Sequence, residues 1–129
     1  MCRNSGRCRH IQEADALEAR ELASQLVDTL TDHFAEDILV LDIADLTTFA
    51  DAFVIASAGS DRQLRALVEA LQAVPKPDGR SPRLEGEAES GWALVDHGSV
   101  ITHLFSRDKR KFYDLEGLWR SARVVVRVQ

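Results

Sequence analysis

Residues 52–72 dictate the layout of the chain. Ala52–Ala58 (AFVIASA) is a seven-residue apolar run bounded by Asp51 and Gly59, and it reads as a strand buried on both faces. Ser60 can then cap a helix, with Gln63 three residues on completing a capping box. Leu64, Leu67, Val68 and Leu71 fall at i, i+3, i+4 and i+7, the apolar stripe of an amphipathic helix. Pro75 and Pro77 stop it. A strand feeding directly into a capped helix predicts a right-handed crossover between parallel strands, and so a layered α/β protein.

The flanking sequence fills in the layers. Residues 1–10 read as a flexible tail. From Ile11 to Phe34 the apolar residues Ala19, Ala23, Leu26, Val27, Leu30 and Phe34 recur at helical spacing, and Asp15 with Glu18 offers a capping box near the start. Asp37–Ile43 (DILVLDI) is a second short buried strand, and residues 44–51 connect the two. Residues 74–82 (VPKPDGRSP) hold all three prolines and read as a loop, not a domain boundary. Short strands are expected at 83–85, 92–96 and 100–105, the last two joined by a turn at His97-Gly98. Ser106 can cap a final helix whose Phe112, Leu115 and Trp119 pack on the sheet. Residues 120–129, where Val124, Val126 and Val128 alternate, read as a C-terminal tail or a weak edge strand. The order α-β-β-α-β-β-β-α over residues 11–119 predicts a single domain: a mixed sheet of about five strands covered by helices.

Composition narrows the function. The chain has 129 residues and a net charge of −5; residues 1–13 contribute +2 (Arg3, Arg7 and Arg9 against Glu13), leaving −7 on the remainder. A body of that sign repels bare phosphate backbone and argues against direct DNA binding, whereas a basic protein partner or a small molecule suits it. Both cysteines, Cys2 and Cys8, fall in the first ten residues, so the core has no thiol to staple and a reducing cytoplasm is the simple expectation. Cys2, Cys8 and His10 lack a further ligand pair at a zinc-finger spacing. No apolar run approaches the length of a membrane span.

Catalytic patterns are incomplete. Gly59-Ser60 at a helix start could hold phosphate, but metal-assisted nucleotidyl transfer needs two carboxylates, two residues apart on a strand. Asp96 has Gly98 where the second acid would stand, and Asp42 has Ala44. Ser57, Ser60, His97, His103, Asp51 and Asp96 contain the residue types of a triad without its G-x-S-x-G elbow. Asp96, His97 and His103 are weak candidates for a metal. Arg107, Lys109, Arg110 and Lys111 beside Phe112-Tyr113 are interspersed with Asp108, Asp114 and Glu116, which is the pattern of a solvated helix face more than of a nucleic-acid site. What stands out is aromatic surface in the second half (Trp92, Phe105, Phe112, Tyr113, Trp119) among acids (Glu85, Glu87, Asp96, Asp114, Glu116), the ingredients of a docking surface for a basic protein.

Three segments carry a family likeness: EDILVLDIADLTTFADAFVIASAGSDRQLRAL, RLEGEAESGWALVDHGSVITHLF and RKFYDLEGLW. Over about Leu22 to Trp119 the chain closely resembles the ribosomal silencing factor family (RsfS, the Iojap-like proteins). The resemblance implies a nucleotidyltransferase-like fold without the catalytic site, no enzymatic activity and no cofactor. It implies binding to the large ribosomal subunit at ribosomal protein number fourteen, steric blocking of small-subunit joining, and repression of translation; some members are dimers. By motif match it assigns partner contacts to Glu85, Trp92, Asp96, His103, Tyr113, Glu116 and Trp119, with Trp92 and Tyr113 as anchors and Asp96 and Glu116 pairing with Lys or Arg. The chain departs from the family at Asp96-His97-Gly98-Ser99, where Asp-Tyr-Gly-Asp is common, and at Ala52, where an aromatic or His is common. Residues 1–13 and 120–129 match nothing in the family pattern.

Overall fold

The computed structural model describes residues 6–128, with side chains from Glu18 onward. In chain order the elements are α1 (Gly6–Asp32), β1 (Glu36–Asp42), β2 (Ala52–Ala58), α2 (Asp61–Gln72), β3 (Arg83–Glu87), β4 (Trp92–Asp96), β5 (Val100–Ser106), α3 (Arg107–Tyr113), α4 (Leu115–Leu118) and β6 (Arg123–Val128). They form one six-stranded sheet in the order β3-β4-β5-β2-β1-β6. Only β2 and β5 pair in parallel; every other neighbour is antiparallel.

The strand–turn–helix unit forms as the sequence dictates. β2 is buried along its whole length. Ser60 Oγ accepts from Gln63 N–H at 3.1 Å, and Gln63 Oε1 accepts from Gly59 N–H at 2.7 Å, one residue before the cap, a capping box with its return bond shifted by one. Leu64, Leu67 and Leu71 are buried, and Val68 packs beside them. The crossover skips two positions: α2 leads to β3 at the sheet edge, and a β3–β4–β5 meander returns the chain to lie parallel to β2.

Several expectations change. The helix starts at Gly6, so residues 6–10 are helical and Asp15 lies inside α1 rather than at its cap; residues 1–5 lie outside the described residues, as do Cys2 and the side chains of Cys8 and His10. Phe34 leaves the apolar stripe because the helix ends before it. Ala35 N–H bonds back to Leu30 C=O, Phe34 takes φ +64°, and the residue is 81% exposed. The β4–β5 turn centres on Gly98-Ser99, since His97 N–H still pairs with Val100 C=O; His97 is buried, with Nε2 3.0 Å from Val74 C=O. The expected last helix is broken at Asp114, which takes a left-handed conformation (φ +45°), so Phe112 swings out to 74% exposure while Leu115 and Trp119 still pack on the sheet. Residues 123–128 form a sixth strand paired with β1.

Two cores flank the sheet. On one face α1 and α2 cover Val40, Val54, Ala56, Val95, Val100 and Leu104. On the other, Leu39, Leu41, Phe53, Ile55, Ile101 and Phe105 are backed only by side chains from the short α3–α4 region and the loops, including Leu115 and Trp119. That second face is left without a long helix.

Candidate docking face

Register across the meander places the residues singled out by motif on this thinly covered face. Three cross-strand rows run over β3, β4 and β5: Arg83–Asp96–Ile101, Glu85–Leu94–His103 and Glu87–Trp92–Phe105. Residues opposite one another in a sheet share a face, so Glu85, Trp92, Asp96 and His103 all lie on it. Gly86 allows β3 to sit this close: it has φ +79°, and a Cβ there would stand 2.5 Å from the Trp92 carbonyl oxygen.

The aromatic rings form one connected run. Phe49 lies 6.2 Å from Trp119, Trp119 meets Phe53 edge-on at 5.1 Å, and Phe53 meets His103 edge-on at 4.8 Å. His103 stacks with Trp92 at 6.3 Å, and Trp92 lies 5.4 Å from Tyr113. Such contacts hold rings in fixed poses. Trp92 and Trp119 are half-buried, while Tyr113 and Phe49 are exposed. The run therefore has a seated base and an open rim.

The seven motif residues differ in what they offer a partner. Glu85 is exposed, with Arg83 3.5 Å away. Asp96 is half-exposed and accepts from Gly98 N–H at 2.7 Å, which orients its carboxylate. Trp92, Tyr113 and Trp119 present ring surface. His103 is only 5% exposed, flanked by Trp92 and Phe53, so it supports the face rather than offering surface to a partner. Burial holds its imidazole well down the scale, at about 4, so the ring is neutral at physiological pH. Glu116 is turned inward and accepts from Arg110 Nε at 2.8 Å.

The other chemistry candidates are engaged elsewhere. Ser60 and the Gly59 amide are used by the cap of α2, and Arg107, 2.5 Å from Glu36, lies over Gly59. Ser57 accepts from Arg110. Asp42 is 3.1 Å from Arg123. Two residues escaped the sequence reading. Phe49 extends the aromatic run from the connector before β2. Arg110, read as part of a solvated face, has a side chain only 10% exposed; its one sequence signal is its place three residues before Tyr113 and six before Glu116.

Comparison with known proteins supplies the family. Residues 16–129 match the family model described as ribosomal silencing factor during starvation, so the match takes in residues 120–129 as well. The chain is 35% identical over 107 residues to the ribosomal silencing factor RsfS of Halalkalibacterium halodurans, spanning 82% of this chain and 92% of that one. It is 36% identical over 110 residues to a mouse protein named mitochondrial assembly of ribosomal large subunit protein 1, covering 82% of this chain and 48% of the mouse protein. The crystal structure of a Chromobacterium violaceum protein superposes with a TM-score of 0.72 at 33% identity, covering 78% of this chain and 84% of that one.

Proposed function

Since the chain belongs to the ribosomal silencing factor family, we propose that it binds the large ribosomal subunit through a basic ribosomal protein, number fourteen, and blocks small-subunit joining by occupying its place. The observation that carries this reading is the open face of the sheet, where half-buried Trp92 and Trp119 and exposed Tyr113 are flanked by the carboxylates of Glu85 and Asp96. Aromatic anchors that keep their pose lose little entropy on binding, and a negative rim speeds encounter with a positive partner. The partner meets Trp92, Tyr113 and Trp119 directly and sets Lys or Arg against Asp96 and Glu85. His103 acts by holding Trp92 in place. No bond is made or broken, so the effect scales with occupancy.

Names of relatives support the ribosomal direction: silencing factors in bacteria, and a large-subunit assembly protein in mouse. Calorimetric titration of the chain into purified ribosomal protein fourteen tests the contact. Saturable heat that Asp96→Asn and Trp92→Ala both weaken supports the reading. No heat with a folded partner overturns the proposed contact.

A further inference from the structure

Arg110 is a charged residue whose side chain is only 10% exposed. Its Nε donates to Glu116 Oε1 at 2.8 Å, and its Nη1 donates to Ser57 Oγ at 2.9 Å and to the Asp37 carbonyl. One guanidinium thus joins α3 to α4, to the end of β2 and to the start of β1.

What it holds is built from short helices. α3 has seven residues and α4 four, and neither contains a buried residue. Helices this short do not persist without tertiary anchorage. Arg107 meets Glu36 with two hydrogen bonds, Nε–Oε1 at 2.7 Å and Nη2–Oε2 at 2.5 Å, but its own side chain is 64% exposed and it ties only the first residue of α3 to β1. Apolar contacts hold the far end, where Leu115 and Trp119 pack on the second core, and the last residue of α3, where the Tyr113 ring lies 5.4 Å from Trp92 and 5.9 Å from Phe105. Between Ser106, which caps α3 through Lys109 N–H at 3.2 Å, and Tyr113, the side chain that hydrogen-bonds α3 to both β1 and β2 is Arg110. Tyr113 lies one turn further on, just before the left-handed break at Asp114.

We infer that Arg110 is a positioning residue for docking: its fork of donors fixes the α3–α4 segment, and so the pose of Tyr113 and Trp119 on the open face. The inference rests on the docking reading above. It also reassigns Glu116, whose carboxylate serves the clamp and not the partner. A lysine cannot replace the fork, because a point charge on a flexible stem cannot meet acceptors on α4, β1 and β2 together.

Amide hydrogen exchange on the full chain, with Arg110→Ala and Arg110→Lys, tests this beside co-sedimentation with large subunits. Both variants are expected to exchange at least about ten-fold faster over residues 110–119, with β2 and β5 protected as in the parent. Both should bind large subunits at least about ten-fold more weakly. Unchanged protection over 110–119 overturns the clamp. Loss of protection throughout the sheet makes Arg110 a general stability residue and equally overturns it. Local loosening with parental binding refutes the link to docking. If the parent chain itself fails to sediment with large subunits, the docking reading and its link to Arg110 fall together, and exchange still decides whether the clamp exists.

Discussion

Trp92 Nε1 donates to His103 Nδ1 across 3.4 Å, with the two rings within 7° of parallel. A nitrogen that accepts carries no proton, so the neutral ring bears its hydrogen on Nε2. That atom is buried without a partner. The pair thus fixes the pose of the tryptophan while leaving a costly polar atom in the core.

A pH dependence follows. The folded chain holds His103 at about 4 through burial, against about 6.5 for an unfolded histidine. Between those values the unfolded chain carries a proton that the folded one lacks, so stability falls as pH drops from about 6.5 to about 4, by on the order of 2–4 kcal/mol for this residue. His97, also lowered chiefly by burial, adds in the same direction. His103→Phe should unfold near the parental urea midpoint at pH 7 and be more stable than the parent at pH 4.5. Equal losses in both proteins would remove His103 as the source.

The docking face makes a prediction about charge. Asp96→Asn keeps an oxygen to accept from Gly98 N–H and removes only the negative charge, so folding should hold. Association with large subunits should slow several-fold in low salt, and the difference should shrink as salt rises. Trp92→Ala should cost at least about 1–2 kcal/mol of affinity, mostly as faster dissociation. Parental binding by both variants would move the site off this face.

The cap of α2 also ties the sheet to the end of α1, because Gln63 Nε2 donates to Phe34 C=O at 2.7 Å. Ser60→Ala should destabilise by about 1 kcal/mol. Gln63→Ala should cost about 1–2 kcal/mol, as it also frees the α1–β1 turn. The double variant should fall short of the sum, since the two side chains close one box. Strict additivity in denaturant titration would argue that the two act separately.

Gly86→Ala should be the most damaging conservative change near the face. The new methyl meets the Trp92 carbonyl at 2.5 Å on a backbone of φ +79°. A loss of at least about 2–3 kcal/mol is expected in urea unfolding. A near-neutral effect would mean that β3 does not lie as described.

The strand–turn–helix unit was legible because its signals agree: a buried run, a cap and an amphipathic stripe all name the same boundaries. Register was not legible. Nothing local to β5 says that its parallel partner is β2 and not β3, because the pairing is set by how the meander returns. Phe34 and Phe112 were misplaced for a shared reason. Each is in phase with a helical stripe, and each stripe is cut by a nearby left-handed residue, Phe34 itself and Asp114. The site was legible as residues but not as roles. Motif likeness pointed to Trp92, His103 and Glu116 alike, and only burial separates the half-exposed Trp92 from the supporting His103 and the clamped Glu116. Arg110 was hidden because composition treats an arginine among lysines as solvated.

Gradient sedimentation of the chain with isolated large subunits, followed by addition of small subunits, tests the central claim most directly. Steric silencing predicts that the chain travels with the large subunit and that the yield of joined ribosomes falls in proportion to its occupancy. A chain that stays at the top of the gradient in low salt, or one that binds while joining proceeds undiminished, would contradict it.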